Sequence, residues 1–229
     1  MVTVCIHQPD FAPYLGFFHR LLASDHFIIL DDVQFIRRGW HHRDRIKTRE
    51  GTTWLTLSLQ KGRYHQQIRD VVLAEGKWID ESLNLIRQSY AKAPYFDLIF
   101  PQVEDVYRGG HKRLIDFNLA FLQMAMRLLE IDMQTSLASS YNVSSTSSQR
   151  LLDLVFAVGG DNYLTGIGSR NYLDELLFER SEVMVTWQDF RHPVYPQLYG
   201  EFEPMLSCFD LFFNSGNSSA SMLRGNNRV

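Results

Sequence analysis

The stretch from Val2 to Asp32, VTVCIHQPDFAPYLGFFHRLLASDHFIILDD, reads as strand, helix, strand. Val2 to Ile6 is β-branched and apolar and stops at His7-Gln8-Pro9, which suits a buried strand ending before a proline-restricted turn. Pro13 opens the next segment, with Leu15, Phe18, Leu21 and Leu22 at helical spacing, and proline is tolerated in a first helical turn. His26 to Leu30 is a second short apolar run that ends in Asp31 and Asp32. Strand, helix and strand in this order predict a right-handed parallel crossover.

Working outward, Trp54 to Leu59 alternates like a half-buried strand, while Trp78 to Tyr90 and Lys112 to Leu129 carry helical apolar spacing. Residues 138–148 are serine-rich and read as a loop, with Thr146 and Gln149 spaced as a capping box ahead of Leu151, Leu152 and Val155. That helix should end at Gly159-Gly160. Asn162 to Leu164 is the next strand, followed by the Gly166-Ile167-Gly168 turn and a helix over Asn171 to Phe178. Val183 to Trp187 is the last strand, after which Pro193 and Pro196 enforce an irregular path to the apolar segment Leu206 to Phe213. The expected fold is therefore α/β, an open and mostly parallel sheet flanked by helices, with a helical middle section. Residues 1–214 are expected to form one domain, and 215–229, rich in serine, glycine and asparagine, a flexible tail.

With 229 residues, 45% hydrophobic and 21% charged, the chain can bury the core of one large domain. A formal net charge of -3 supplies no basic surface bias, which argues against a nucleic-acid partner. The first residues lack the basic, apolar and small-residue regions of a secretory signal, so a cytoplasmic location is expected. The apolar runs fall short of the about 20 residues a membrane span requires. Cys5 and Cys208 are too few and too far apart for a disulfide framework or a zinc site.

In open parallel sheets, ligands bind beyond the carboxyl ends of the strands. Four expected strand exits carry polar residues: His7 and Gln8; Asp31, Asp32 and Gln34; Gly166 to Arg170; and Gln188 to His192 with Tyr195 and Gln197. Parallel strands would collect them in one cleft. His7 competes between a catalytic role and capping of the strand end. Neighbours in extended chain point to opposite faces, so only one of Asp31 and Asp32 can serve a common site. Residues 37–47 hold Arg37, Arg38, Arg43, Arg45 and Lys47 beside Trp40, His41 and His42, a composition suited to phosphate or carboxylate, or to a solvated basic loop.

Other chemistries find no support. His41 and His42 lack the i, i+4 spacing of a helical metal pair, there is no DxD spacing, and no metal site is expected. The Gly166-Ile167-Gly168-Ser169-Arg170 turn offers backbone N–H groups to an anion but is neither a P-loop nor a dinucleotide fingerprint. GxSxG is absent, and Cys5, inside a strand, reads as core.

Several motifs, taken in order, resemble the WbqC family. They are His7-Gln8-Pro9 with Tyr14-Leu15-Gly16-Phe17-Phe18, Leu30-Asp31-Asp32-Val33-Gln34-Phe35, and Arg43-Asp44-Arg45-Ile46-Lys47. Tyr90-Ala91-Lys92-Ala93-Pro94-Tyr95-Phe96, Tyr163-Leu164-Thr165-Gly166, His192-Pro193-Val194-Tyr195-Pro196-Gln197 and Leu211-Phe212-Phe213-Asn214 extend the likeness from residue 4 to about 216. Where the family reads Asn-Arg-Asn-Arg-Ile, this chain has His42-Arg43-Asp44-Arg45-Ile46, keeping the arginines and losing both asparagines. The opening is also similar in architecture to the HxGH nucleotidyltransferases, but Tyr14 and Phe17 stand where that motif has histidines, so its chemistry does not carry over.

The resemblance implies a role in bacterial O-antigen, lipopolysaccharide or related surface-polysaccharide biosynthesis, with transfer of an aminoacyl or acyl group to an amino sugar. On that reading His7 or His192 removes a proton from the amine, and Asp32 or Asp31 orients the base or the amine. Substrate would be held by Gln8, Gln34, Trp40, Arg43, Arg45, Lys47, Gly166, Tyr195 and Gln197. Lacking an ATP motif, the reaction would draw on a donor activated elsewhere, as a carrier or CoA thioester. The partners expected are a sugar nucleotide and an acyl carrier protein. A nucleotidyl or other phosphate-linked transferase, and a non-catalytic sugar-nucleotide-binding protein, are the alternatives.

Overall fold

The computed structural model describes residues 1–63 and 65–225. Along the chain run β1 (Thr3–His7), α1 (Leu15–Leu22), β2 (His26–Ile29), β3 (Arg43–Thr48), β4 (Gly51–Thr56), α2 (Trp78–Tyr90), α3 (Phe96–Tyr107) and α4 (Leu114–Leu128). They continue as β5 (Gln134–Leu137), α5 (Ser147–Ala157), β6 (Asn162–Thr165), α6 (Glu175–Arg180), β7 (Met184–Trp187), α7 (Cys208–Ser215) and α8 (Ser219–Gly225).

Five strands form a parallel sheet in the order β5-β2-β1-β6-β7, so the α/β expectation holds. Cys5 of β1 sits opposite Phe27 on one side and Leu164 on the other. Side chains alternate along a strand, and here both faces are covered. Cys5, Phe27 and Ile29 join a large cluster with α1 to α4 and α7, whereas Val4, Ile6, Ile28 and Tyr163 pack with Leu152, Val155 and Phe178 of α5 and α6. Helix α5 ends where expected, with Gly159 at φ +71°, a backbone conformation that glycine reaches without strain.

Several expectations need correction. The strand expected at Trp54 to Leu59 is β4, which ends at Thr56 and pairs antiparallel with β3, so half of the basic segment is a hairpin strand and not a loop. Thr146 starts α5 but its hydroxyl makes no capping bond, and the Gln149 side chain, expected to reach back to it, donates to Asp153. Helix α6 begins at Glu175, capped by Asp174 accepting from the Leu177 N–H, and residues 167–169 form a 3-10 turn before it. The expected tail from Ser215 is ordered as far as Gly225: Ala220 and Leu223 of α8 are buried, Leu223 within the large cluster. Residues 226–229 of that expectation lie outside the described residues.

Candidate active site at the strand exits

The chain leaves β1 toward β2 and leaves β6 toward β7, so the sheet order reverses between these two neighbours. Loops diverging from such a switch point leave a crevice at the strands' carboxyl ends. His7 closes β1 and Gly166 follows β6, on the two sides of it.

The loop after β1 is held by polar contacts. His41 Nε2 lies 2.7 Å from Gln8 Oε1, and the amide of Asn118 on α4 donates to the carbonyls of Pro9 (2.7 Å) and His41 (2.8 Å). The Phe11 N–H donates to the Trp40 carbonyl at 2.9 Å. Residues 8–11 and 36–41 therefore brace each other over the sheet edge, which brings the basic segment's first half to the exit of β1.

His7 keeps about 30% of its side chain exposed and packs edge-on against Phe17. Its Nδ1 lies 2.9 Å from the Gln8 carbonyl, which can only accept, so Nδ1 carries the proton and Nε2 keeps its lone pair. Burial and then the Arg20 charge push the imidazole well below its ordinary range, so it is neutral near pH 7. Asp10 Oδ2 stands 3.6 Å from the same Nδ1. Desolvation raises Asp10 to about 7 in spite of Arg20, and raises Asp44, which accepts from the Arg45 N–H at 2.6 Å, to about 8. The site thus holds an uncharged imidazole beside the Asp10 carboxyl, which burial raises to about 7, near the pH at which such a group can both take and give a proton.

Three members do not stand out in the sequence, Asp10, His19 and Arg20, whereas Gln188 falls in the polar exit expected after the last strand. Arg20 and His19 sit in the otherwise apolar run of α1, and both are buried. Gln188 donates to the Gly16 carbonyl at 2.7 Å and lies 2.9 Å from His19 Nδ1, joining the exit of β7 to the start of α1. A polar pair inside an apolar helix was the available signal.

The remaining residues divide clearly. Asp31 is buried and spends both carboxylate oxygens on the N–H and hydroxyl of Ser139, which fixes the turn after β5. Asp32 forms a 2.7 Å ion pair with Arg150 of α5, on the opposite side of β1 from Gly166. Gln34 bridges to Gln67. Lys47 donates to Gln197 Oε1 and to the Glu201 carbonyl, and the Gln197 amide in turn donates to the Glu203 carbonyl and accepts from the Glu203 N–H. Tyr195 is buried beside Asp210, which also accepts from Tyr90. Lys47, Tyr195 and Gln197 thus share an internal network that holds the hairpin against α2 and α7. Arg45 reaches the Met205 carbonyl at 3.4 Å, and Arg43 lies 4.2 Å over the Trp54 ring with its Nη2 on the Arg38 carbonyl. His192 donates through Nδ1 to the Pro193 carbonyl and packs among Phe190, Tyr195 and Phe202. Phe190 in turn touches His19, so a single ring links His192 to α1. Trp40 remains 50% exposed, its ring centroid 5.5 Å from that of Trp54 and tilted 44° to it, which leaves an apolar surface next to the 8–11 loop.

A doubly covered parallel sheet with polar groups gathered at its switch point defines an α/β protein with a candidate ligand crevice. The WbqC-like protein family model matches residues 8–222, and the chain belongs to that family. It is also similar to Uncharacterized protein Rv1507c of Mycobacterium tuberculosis (strain ATCC 25618 / H37Rv), 33% identical over 227 residues that cover 98% of each chain. No solved structure matches. Among the described residues no helix is long and apolar enough to cross a membrane.

Proposed function

We propose that this protein is a cytoplasmic transferase of bacterial surface-polysaccharide biosynthesis that places an acyl or aminoacyl group on the amine of a nucleotide-linked sugar. Family membership suggests the polysaccharide role. The observation that carries the chemistry is the His7 geometry: Nδ1 locked by the Gln8 carbonyl, Nε2 free, and Asp10 3.6 Å away. In the reaction the amine nitrogen attacks the thioester carbonyl carbon while His7 Nε2 takes the amine proton. The C–N bond forms, the C–S bond breaks, and the proton passes from His7 to the departing thiolate. Asp10, when ionised, stabilises the transient imidazolium, the part assigned from sequence to Asp31 or Asp32. Trp40 offers its face to the sugar or base.

The test is to incubate the purified protein with nucleotide-linked amino sugars and with acyl thioesters of CoA or of an acyl carrier protein, and to weigh the sugar nucleotide. A mass increase equal to the acyl group, absent with His7→Ala, supports the reading. Release of pyrophosphate instead favours a phosphate-linked transfer, and ligand binding without any product favours a binding protein.

A further inference from the structure

Arg20 lies on α1, 7% exposed, among apolar neighbours. Helical side chains lean toward the helix N-terminus, and for α1 that end is the strand-exit side of the sheet. The long Arg20 side chain follows this direction: its Nη1 is 3.2 Å from where a Cβ on Gly166 would stand, and its guanidinium packs 5.8 Å from the Phe17 ring centroid. The charge is thus delivered to the carboxyl end of the paired strands β1 and β6, beside Gly166. There it has no counterion. Among the described residues Arg20 forms no ion pair within 4.0 Å, and its Nε is buried without a hydrogen-bond partner. Its charge acts on His7, His19, Asp10, Cys5 and Tyr163. Of these only Asp10 is a carboxyl group, and desolvation holds it near 7, so its negative charge is incomplete at neutral pH.

A buried cation without a partner costs several kcal/mol. We infer that Arg20, reaching past the bare backbone of Gly166, forms an oxyanion subsite at the β1–β6 switch point, built for a phosphate group of the ligand. Three features fit. The guanidinium fork matches the spacing of phosphate oxygens. Gly166 leaves open the space in front of Nη1, which any side chain would fill. His19, whose Nδ1 accepts from the Gln188 amide, carries its proton on Nε2, which is buried without a partner among the described residues and so has an N–H to offer an anion. This subsite takes over the phosphate-holding part that the sequence suggests for Arg43 and Arg45. It concerns binding alone, and it stands or falls apart from the acyl-transfer reading.

The test uses the full chain and simple probes. Thermal unfolding and isothermal titration are run with pyrophosphate, inorganic phosphate and acetate, each against sodium chloride at matched ionic strength. Wild-type protein should be stabilised by pyrophosphate and phosphate, with acetate weaker. Arg20→Met should weaken phosphate binding at least tenfold. Gly166→Ala, whose φ of -82° suits any residue, should crowd Nη1 and weaken it several-fold with Arg20 in place. Arg20→Lys should keep part of the effect, and this milder variant guards against a fold lost in Arg20→Met. If phosphate and pyrophosphate do no more than sodium chloride, or if Arg20→Lys and Gly166→Ala bind them as tightly as wild type, the subsite is refuted. Equal or tighter binding of acetate would assign the subsite to a carboxylate and overturn the phosphate assignment.

Discussion

Gln8 Oε1 accepts a 2.7 Å hydrogen bond from His41 Nε2, and this one contact ties the exit of the central strand to the loop that leads into the hairpin. The two residues are 33 positions apart, and Asn118 of α4 clamps the same pair of loops through backbone carbonyls.

Replacing Gln8 by Leu should therefore leave His41 with neither ring nitrogen bonded, since its Nδ1 is already buried without a partner. A loss of about 1–3 kcal/mol in stability is expected, the usual cost of a stranded buried polar group. Urea unfolding measures it; an unchanged midpoint would show that the clamp carries no load. Faster hydrogen exchange over residues 8–11 and 36–42 should accompany the loss.

His7→Ala should lower turnover about 10²–10⁴-fold, the usual contribution of a general base, with the substrate KM changed little. His192→Ala, removing a ring packed among Phe190 and Phe202, should act mainly on stability. Initial-rate kinetics on both variants separate the roles, and the reverse ranking would move the base to His192.

The buried carboxyl groups predict a pH signature. Asp44, held near 8, and Asp10, near 7, keep protons in the folded state that the unfolded chain gives up above its ordinary 3.8. Stability contributed by these protons is lost as pH rises toward 8. His7 and His41, pushed down to about 3 and about 4 from 6.5, act in the opposite sense: the unfolded chain gains protons as pH falls below 6.5. Between pH 4 and about 7 the two effects oppose each other, and at higher pH the aspartates dominate. From pH 6.5 to 8 the protein should lose on the order of 2 kcal/mol, and Asp44→Asn should remove most of that slope. Denaturant melts at the two pH values settle the point; a wild-type protein no less stable at pH 8 would contradict it.

Leu223→Ala should cost about 2–4 kcal/mol, because the side chain is fully buried in the large cluster. A frayed tail would tolerate the change without effect, so a thermal melt decides between the two descriptions of residues 219–225.

How much of this was legible in the sequence depends on whether neighbours or distant contacts set each feature. The β1-α1-β2 opening was readable because apolar runs, Pro9 and Pro13 mark its boundaries locally. Edge strand β5 was not: Gln134 to Leu137 is polar and half-exposed, and pairing with β2 alone makes it a strand. Helix α3 carries Pro101 in its interior, which interrupts the pattern that periodicity relies on. Among site residues, His7 and Gln8 stood out as polar groups at a strand end. Arg20 carried only the signal of a polar pair in an apolar helix, and its place beside Gly166 depends on the sheet order that sets β6 next to β1. Lys47 and Gln197 looked like ligand contacts because a bonded internal pair 150 residues apart and a binding pair have the same composition.

The sugar nucleotide is expected to bind at the switch point, between the exits of β1 and β6. Hydrogen exchange read by mass spectrometry, with and without a nucleotide-linked amino sugar, tests it directly. Slower exchange should appear in residues 7–11, 36–42 and 164–170. Protection confined to the groove between α4 and β5, lined by Leu122, Met126 and Leu137, would place the ligand elsewhere and contradict the account.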